Sequence, residues 1–219
     1  MNERLGELAH ELRNHLGTAM LAYAAIKNGS VATSGATGNV LERSLHSLQH
    51  LVDRSLADVR LTAGLQIRRE TIAIDHLVSE LRIPVVMEAF ARGLVFSSSV
   101  EKGLTVNADR QMLASAIGNL LQNALKFTRP HGRLSLTARA MGNRAIIEIK
   151  DECGGLPEGK TEPLFKPFEQ QGANRSGLGL GLSISRRSVE ANGGTLRARD
   201  LPGIGCIFAI DLPKASDDN

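Results

Sequence analysis

Apolar residues recur at spacings of three and four along residues 3–28, which is the period of an amphipathic α-helix. A second stripe of the same period covers residues 40–61, after a Gly-, Ser- and Thr-rich segment that predicts a turn. Residues 1–62 are therefore predicted to form a helical hairpin. Two helices enclose little surface, so we expect the stripes to pack against a second copy, giving a homodimer with a four-helix bundle. The alternative is that the stripes pack on the rest of the same chain.

The periodicity changes near residue 63, where short helical and strand-like patterns begin to alternate. The helical patterns lie at residues 75–92, 109–127 and 182–192. The strand-like runs lie at residues 94–97, 104–107, 134–140, 144–150, 195–198 and 206–212. Residues 154–176 show no period and predict a long mobile loop. The chain as a whole is predicted to be α+β, with a second, layered domain over residues 63–219.

Charge and cysteine content narrow the classes of function. Lys and Arg total 26 against 23 Asp and Glu, and a net charge of +3 is too small to indicate a strong nucleic-acid binder. Cys153 and Cys206 form no disulfide framework, which favours a reducing, cytoplasmic compartment. The sequence shows no signal peptide and no apolar stretch long enough for a membrane helix. Membrane attachment is therefore expected only through a sensor region that precedes this chain.

The predicted helix at residues 109–127, which Asp109 is placed to cap, carries two asparagines and a lysine on one narrow stripe. Asn119, Asn123 and Lys126 follow one another at spacings of four and three. Amide oxygens can hold Mg²⁺, and an ammonium one turn further on can meet the phosphates that the cation bridges. The stripe predicts a nucleotide-phosphate site. The alternative is an ordinary solvated helix face.

Glycine alternates with leucine directly before the last predicted helix, in the run SGLGLGL that ends at Leu182. Gly177, Gly179 and Gly181 let backbone amides approach an anion, which a helix N-terminus also attracts. The run matches neither a Walker loop nor GxGxxG. It predicts a phosphate-binding turn, and the alternative is a plain glycine-rich loop.

Asp151 ends a predicted strand and is followed by the Gly154-Gly155 pair. A carboxylate at such a position can point into a pocket and accept a hydrogen bond from the exocyclic amine of adenine. This arrangement predicts a preference for ATP. The alternative is a turn aspartate that bonds its own backbone.

Along the chain the polar stripe comes first, Asp151 second and the glycine run third, with the loop between Asp151 and the glycine run. With these three features in that order, residues 109–212 resemble the ATP-binding domain of sensor histidine kinases. That domain has the Bergerat fold, an α/β sandwich shared with gyrase, Hsp90 and MutL. The resemblance implies that residues 119–127 (NLLQNALKF) are the N box, with Asn123 on Mg²⁺. It also implies that Lys126 touches the phosphates of the nucleotide.

The same resemblance extends to the loop that follows the strand. It implies that Asp151 reads adenine, that Gly155 is the second glycine of its box, and that GLGLGL is the second glycine box. Phe165 and Phe168 in LFKPFEQ look like the F box, which anchors the lid over ATP. Cys153 departs from the family, because it stands where the DxGxG pattern has its first glycine. A side chain there is expected to narrow the adenine pocket and weaken ATP binding.

The N-terminal run LAHELRN resembles the H box of the same kinases. His10 is then implied as the phosphorylated residue, since a neutral imidazole is a good nucleophile near neutral pH. Glu11 can accept the proton of the other ring nitrogen as general-base support. Asn14 lies on the same helix face and could position water for phosphatase activity. His15 replaces the proline common there, which leaves the expected helix bend open.

The sequence therefore predicts a histidine kinase core that uses ATP and Mg²⁺ and passes the phosphoryl group from His10 to an aspartate of a response-regulator receiver domain. One alternative is a phosphotransfer adaptor whose ATP domain has lost its nucleotide, for which Cys153 is the motive. Another is an ATP-driven clamp of the gyrase or Hsp90 type, against which the H box and the short length argue. His46 and His50 have the spacing of a metal pair, but the sequence offers no third ligand for them.

Overall fold

The computed structural model describes residues 16–23, 25–26, 37–38, 40–41, 44, 67–156, 161–167 and 180–215. The chain divides into two units, residues 1–59 and 60–219. In the first unit, the described residues are all α-helical. Ala19 and Ala22 are buried there, whereas Leu16 and Tyr23 are exposed. The remainder of the predicted hairpin, including the boundary at residue 62, lies outside the described residues.

The described part of the second unit contains three α-helices and seven strands. The helices are α1 (Ile74–Ala91), α2 (Arg110–Phe127) and α3 (Gly181–Ala191). The strands are β1 (Arg69–Ala73), β2 (Val95–Val100), β3 (Thr105–Asp109), β4 (Arg133–Met141), β5 (Arg144–Asp151), β6 (Thr195–Leu201) and β7 (Gly205–Pro213). A short 3₁₀ helix, Pro163–Phe165, lies between β5 and α3.

Five strands form the main sheet in the order β2-β4-β5-β7-β6, and β1 pairs with β3 in a separate two-stranded sheet. Within the main sheet β2 runs parallel to β4, and the other neighbours are antiparallel. Buried and partly exposed residues alternate along β4 and β5, as expected of a sheet with one covered face. Helix α2 packs against α1, α3 and β5, so the core lies between the helices and the sheet.

The start of α2 is held by two buried polar contacts. The Asp109 carboxylate accepts a hydrogen bond from the Met112 amide at 3.1 Å, the N-cap that the sequence predicts. The Asn192 amide oxygen accepts from the Asp109 N–H at 2.7 Å, and its nitrogen donates to the Ser188 carbonyl at 2.8 Å. Asn192 therefore ties the start of α2 to the end of α3, which fixes the two helices that carry the predicted phosphate residues.

Among the described residues of this unit, the sequence located all three helices and six of the seven strands to within a few residues, and it missed β1. Three of the five β1 residues are exposed, so no alternation of apolar and polar residues signals a strand. Strand β1 is recognised only by its antiparallel pairing with β3, in which Ile72 lies opposite Val106. The expectation of a long mobile loop over residues 154–176 is corrected in part, because Pro163–Phe165 forms the 3₁₀ helix and Phe165 is buried.

Two glycine substitutions test the packing of the sheet and α2. An added Cβ at Gly205, in β7, would collide with the backbone of Asp151 in β5. Gly205→Ala should therefore lower the free energy of unfolding by about 1–3 kcal/mol, the usual cost of overpacking. At Gly118, within α2, an added Cβ meets nothing within 4 Å. Gly118→Ala should raise the free energy of unfolding by about 0.5–1 kcal/mol.

Urea denaturation followed by circular dichroism measures both changes. An unchanged stability of Gly205→Ala would contradict the close approach of β7 to the end of β5.

Candidate functional site

The predicted polar stripe lies on α2 as the sequence places it. Asn119, Asn123 and Lys126 are all half-buried, whereas Leu120 and Leu121 beside them are fully buried in the core. Since the apolar face locks the rotation of the helix, the polar stripe has a fixed direction. Partial burial lowers the pKa of the Lys126 ammonium, because desolvation disfavours its charged form.

Asn119 lies beside the N-terminus of α3. An added Cβ at Gly181 would stand 3.9 Å from the Asn119 Cγ, so the first residue of α3 approaches this amide closely. The Asn119 Nδ2 is buried and has no hydrogen-bond partner among the described residues. A buried amide N–H without a partner is costly, and an anion at the helix N-terminus would satisfy it. The structure thus brings together Asn119 from the first predicted motif and Gly181 from the second.

Asp151 stands at the end of β5 with only 2% of its surface exposed. Its Oδ1 accepts a hydrogen bond from the Cys153 N–H at 2.9 Å, which is the turn-aspartate contact that the sequence left open. Its Oδ2 accepts from the Cys206 thiol at 3.2 Å. A carboxylate has about four acceptor positions, so these two bonds leave capacity for a further donor such as an adenine amine.

The two thiols near Asp151 influence each other. The hydrogen bond between the Cys153 and Cys206 thiols lowers the pKa of the Cys153 thiol. The same contact, together with burial, raises the pKa of the Cys206 thiol. Cys153 is therefore the thiol that loses its proton more readily.

The turn after Asp151 needs glycine. Gly154 and Gly155 have φ angles of +100° and +108°, which side chains rarely adopt. An added Cβ at Gly155 would stand 3.2 Å from the Asp200 Oδ1, and Asp200 also accepts from the Leu156 N–H at 2.6 Å. At Gly154 an added Cβ would collide with the Arg129 guanidinium, which crosses the turn. The turn is thus clamped between β6 and the residues that follow α2.

Phe165 anchors the segment that follows this turn. Its ring is 6% exposed and packs edge-to-face on Phe208 with centroids 6.4 Å apart. The Arg186 guanidinium of α3 lies 4.9 Å from the Phe165 ring centroid, and the same group pairs with Glu162 at 2.7 Å. Phe165 and Glu162 therefore connect the short 3₁₀ helix to both β7 and α3.

Several predicted site residues lie outside the described residues. They are His10, Glu11, Asn14, Phe168, Gly177 and Gly179. Leu182 lies in the first turn of α3, directly after Gly181, and is half-buried.

Sequence reasoning missed the side chains that contact Asp151 and the glycine turn after it. Cys206 is an apolar-patterned residue in a strand, and only the pairing of β5 with β7 places it opposite Asp151. Arg129 and Asp200 were not connected with the glycine turn, because their sequence distance from it carries no signal. Strand order places Cys206 in β7 and Asp200 in β6, and the position of Arg129 follows only from the tertiary structure.

The comparisons with known proteins identify the family of the region that contains these residues. Residues 108–216 match the family described as histidine kinase-, DNA gyrase B-, and HSP90-like ATPase, so this region is a domain of that ATPase family. Membership implies that the domain binds ATP. Its relatives include sensor histidine kinases, and within the family the region is a histidine kinase ATPase domain.

Three similar proteins illustrate the relationship. The sensor protein KdpD of Mycobacterium tuberculosis (strain CDC 1551 / Oshkosh) is 34% identical over 225 residues, covering 97% of this chain and 26% of KdpD. Full-length ShkA in complex with AMPPNP superposes with a TM-score of 0.70 at 27% identity, covering 97% of this chain and 46% of ShkA. The catalytic domain of histidine kinase ThkA gives a TM-score of 0.61 at 25% identity, covering 67% of this chain and 98% of that domain.

The chain thus spans about a quarter of the length of KdpD. Across the described residues, no helix has the length and apolar character that a membrane span requires.

The Phe165 anchor can be tested by truncation. Phe165→Ala should lower the free energy of unfolding by about 3 kcal/mol, since it removes a buried ring from between β7 and α3. Phe90→Ala is the matched control, because that ring is 86% exposed on α1, and a change within about 0.5 kcal/mol is expected there. Chemical denaturation measures both variants, and equal effects would contradict an anchoring role for Phe165.

Proposed function

We propose that the chain is the catalytic core of a two-component sensor histidine kinase. ATP bound in the second unit phosphorylates His10, and the phosphoryl group then passes to an aspartate of a response-regulator receiver domain. The observation that carries the nucleotide part is the buried, unpartnered Asn119 amide beside the N-terminus of α3, within a domain of this ATPase family.

The residues of the cleft have distinct proposed roles in holding the nucleotide. Asp151 accepts the adenine amine, while Asn119 and the α3 N-terminus face the phosphates. Asn123 would hold Mg²⁺, because this hard cation prefers oxygen ligands such as an amide oxygen and phosphate oxygens. When bound, Mg²⁺ neutralises charge that develops on the transferring group. Lys126 adds a positive charge on the same stripe, and Phe165 is proposed to anchor the lid over ATP, the role that the F-box resemblance implies.

The proposed chemistry at His10 is a phosphoryl transfer. A neutral ring nitrogen attacks the terminal phosphorus of ATP, the bond from that phosphorus to the bridging oxygen breaks, and ADP leaves. Glu11 accepts the proton of the other ring nitrogen, which makes the attacking nitrogen more basic. Asn14 is proposed to orient water when the phosphorylated receiver is hydrolysed. The match to KdpD supports this part, because it covers 97% of this chain and so includes the H box.

The partners proposed are a receiver domain and a second copy of this chain. Leu16, Met20 and Tyr23 are all more than half exposed in the single chain, although they are large and apolar. Burial of such residues in a homodimeric four-helix bundle would remove this apolar surface from water.

A phosphotransfer adaptor remains the second candidate, because the Asp151 carboxylate is already bonded to the Cys153 backbone and the Cys206 thiol. In an adaptor these bonds would persist and the cleft would take no nucleotide. The two candidates share His10 and differ in saturable binding of ATP.

Autophosphorylation tests the kinase directly. Incubation with ATP labelled at the terminal phosphate should give a protein label that is labile in acid and stable in base, as expected of phosphohistidine. His10→Gln should abolish the label, since it removes the nucleophile. His76→Gln, which changes an exposed histidine on α1, should retain it. Equal labelling of wild type and His10→Gln would exclude His10 as the acceptor.

Nucleotide binding tests the cleft separately from the acceptor. A fluorescent ATP analogue with Mg²⁺ should bind saturably to wild type. Asn123→Ala should weaken binding about 10- to 100-fold, because losing a contact to a charged group costs about 1.5–3 kcal/mol. Asn107→Ala, at an exposed position of β3, should bind like wild type. An absence of saturable binding by wild type would favour the adaptor.

A further inference from the structure

Three potential metal ligands converge where β5 ends. The Sγ atoms of Cys153 and Cys206 and a carboxylate oxygen of Asp151 all lie within 4.8 Å of one another. Within the described parts of the chain, no other three His, Cys, Asp or Glu side chains bring their ligand atoms so close together. Two of the three residues, Asp151 and Cys206, are only 2% exposed, whereas Cys153 is partly open to solvent.

The backbone holds these ligands in place. Asp151 and Cys206 are direct partners in the β5–β7 register. Gly154, which follows Cys153 with a φ of +100°, donates its N–H to the Ile204 carbonyl at 3.0 Å. The Asp151 Oδ1 fixes the same turn through the Cys153 N–H. The cluster is therefore part of the sheet edge and its clamped turn.

The spacing of the ligand atoms suits a tetrahedral soft cation. With Zn–S near 2.3 Å and Zn–O near 2.0–2.2 Å, tetrahedral angles put two sulfurs about 3.8 Å apart and a sulfur and an oxygen about 3.6 Å apart. The Cys206 Sγ and the Asp151 Oδ2 are 3.2 Å apart, so a small outward shift accommodates the ion. Two thiolates favour Zn²⁺ over Mg²⁺ or Ca²⁺, which prefer oxygen ligands.

Charge also favours a dication here. When Asp151, Cys153 and Cys206 are all deprotonated, they carry a total charge of about −3. Burying that charge is energetically unfavourable unless a cation neutralises it. A bound Zn²⁺ reduces it to about −1, and the Arg129 guanidinium that crosses the neighbouring Gly154 supplies a further positive charge. Three protein ligands leave a fourth position for water on the open side, at Cys153.

We propose that Asp151, Cys153 and Cys206 form a Zn²⁺ site and that zinc binding excludes nucleotide, because the metal takes the carboxylate that adenine requires. Metal binding stands independently of the proposed kinase function, whereas the competition with nucleotide rests on it. Zinc would act as a reversible inhibitor of the ATP site. The two cysteine protons leave to solvent when the metal binds.

Metal binding is tested first, without nucleotide. The whole chain, reduced with a phosphine and freed of metal, is titrated with Zn²⁺ against a chromophoric chelator and with Co²⁺ followed by absorption. One zinc per chain and a thiolate-to-cobalt charge-transfer band are expected. Cys153→Ser should lose the band. Its zinc affinity should fall by more than the roughly 10- to 100-fold that follows loss of an outer-shell partner, because Cys153 is a direct ligand.

A matched variant tests the other metal pair that the sequence offers. The double variant His46→Ala/His50→Ala should bind zinc like wild type. Cys206→Ala should lose zinc binding as Cys153→Ser does, and circular dichroism checks that this variant folds. If Cys206→Ala does not fold, the result for Cys153→Ser alone decides whether the site exists. Unchanged zinc affinity in Cys153→Ser, loss of binding only in the histidine variant, or no binding by the reduced wild type would each overturn the site.

Competition is tested second, with the fluorescent ATP analogue. Zinc should displace the analogue from wild type but not from Cys153→Ser, which separates the protein site from zinc bound to phosphates. If wild type binds zinc but never the analogue, the kinase function fails while the metal site stands. If both bind and zinc does not displace the analogue, the competition is overturned.

Discussion

The burial of one face of α2 is the constraint on which the rest of the second unit depends. Leu113, Ile117, Leu120 and Leu121 are almost completely removed from water, and at about 25 cal/mol per Å² such burial outweighs any single polar contact of the helix. Asp109 and Asn192 then fix its start. Because the core determines the rotation of the helix, Asn119 and Asn123 on its other face have a fixed direction. The polar stripe is a consequence of how the helix packs, and the α3 N-terminus reaches Asn119 because both helices share that core.

A second constraint, the pairing of β5 with β7, determines the surroundings of Asp151. It sets Asp151 opposite Cys206 and brings Gly205 so close that the strand admits no side chain there. The glycine turn that follows is held by Arg129, Ile204 and Asp200. The carboxylate implied to read adenine therefore has sulfur neighbours, so nucleotide and a soft metal would contend for the same group. Family resemblance implies the role of the aspartate, and Cys153 and Cys206 of this chain are its sulfur neighbours.

The parts of this structure that local sequence encodes were predictable. The period of apolar residues located α2, and a single Asp at its start predicted the cap that the structure contains. The stripe of Asn119, Asn123 and Lys126 follows from helical geometry alone. Other parts depend on contacts between distant segments. Strand β1 exists because β3 pairs with it, and Cys206 meets Asp151 across a pairing that skips β6 and α3. No local pattern reports such pairings, and the unsatisfied Asn119 amide likewise becomes visible only once its burial is known.

The central claim is that a nucleotide lies between α2 and the α3 N-terminus with its base at Asp151. A crystal structure of the chain with AMPPNP and Mg²⁺ tests this most directly. The account predicts the adenine amine on the Asp151 carboxylate and phosphate oxygens against Asn119 and the first residues of α3. A cleft that stays closed by the protein's own side chains at saturating nucleotide, or phosphates bound away from α2, would contradict it.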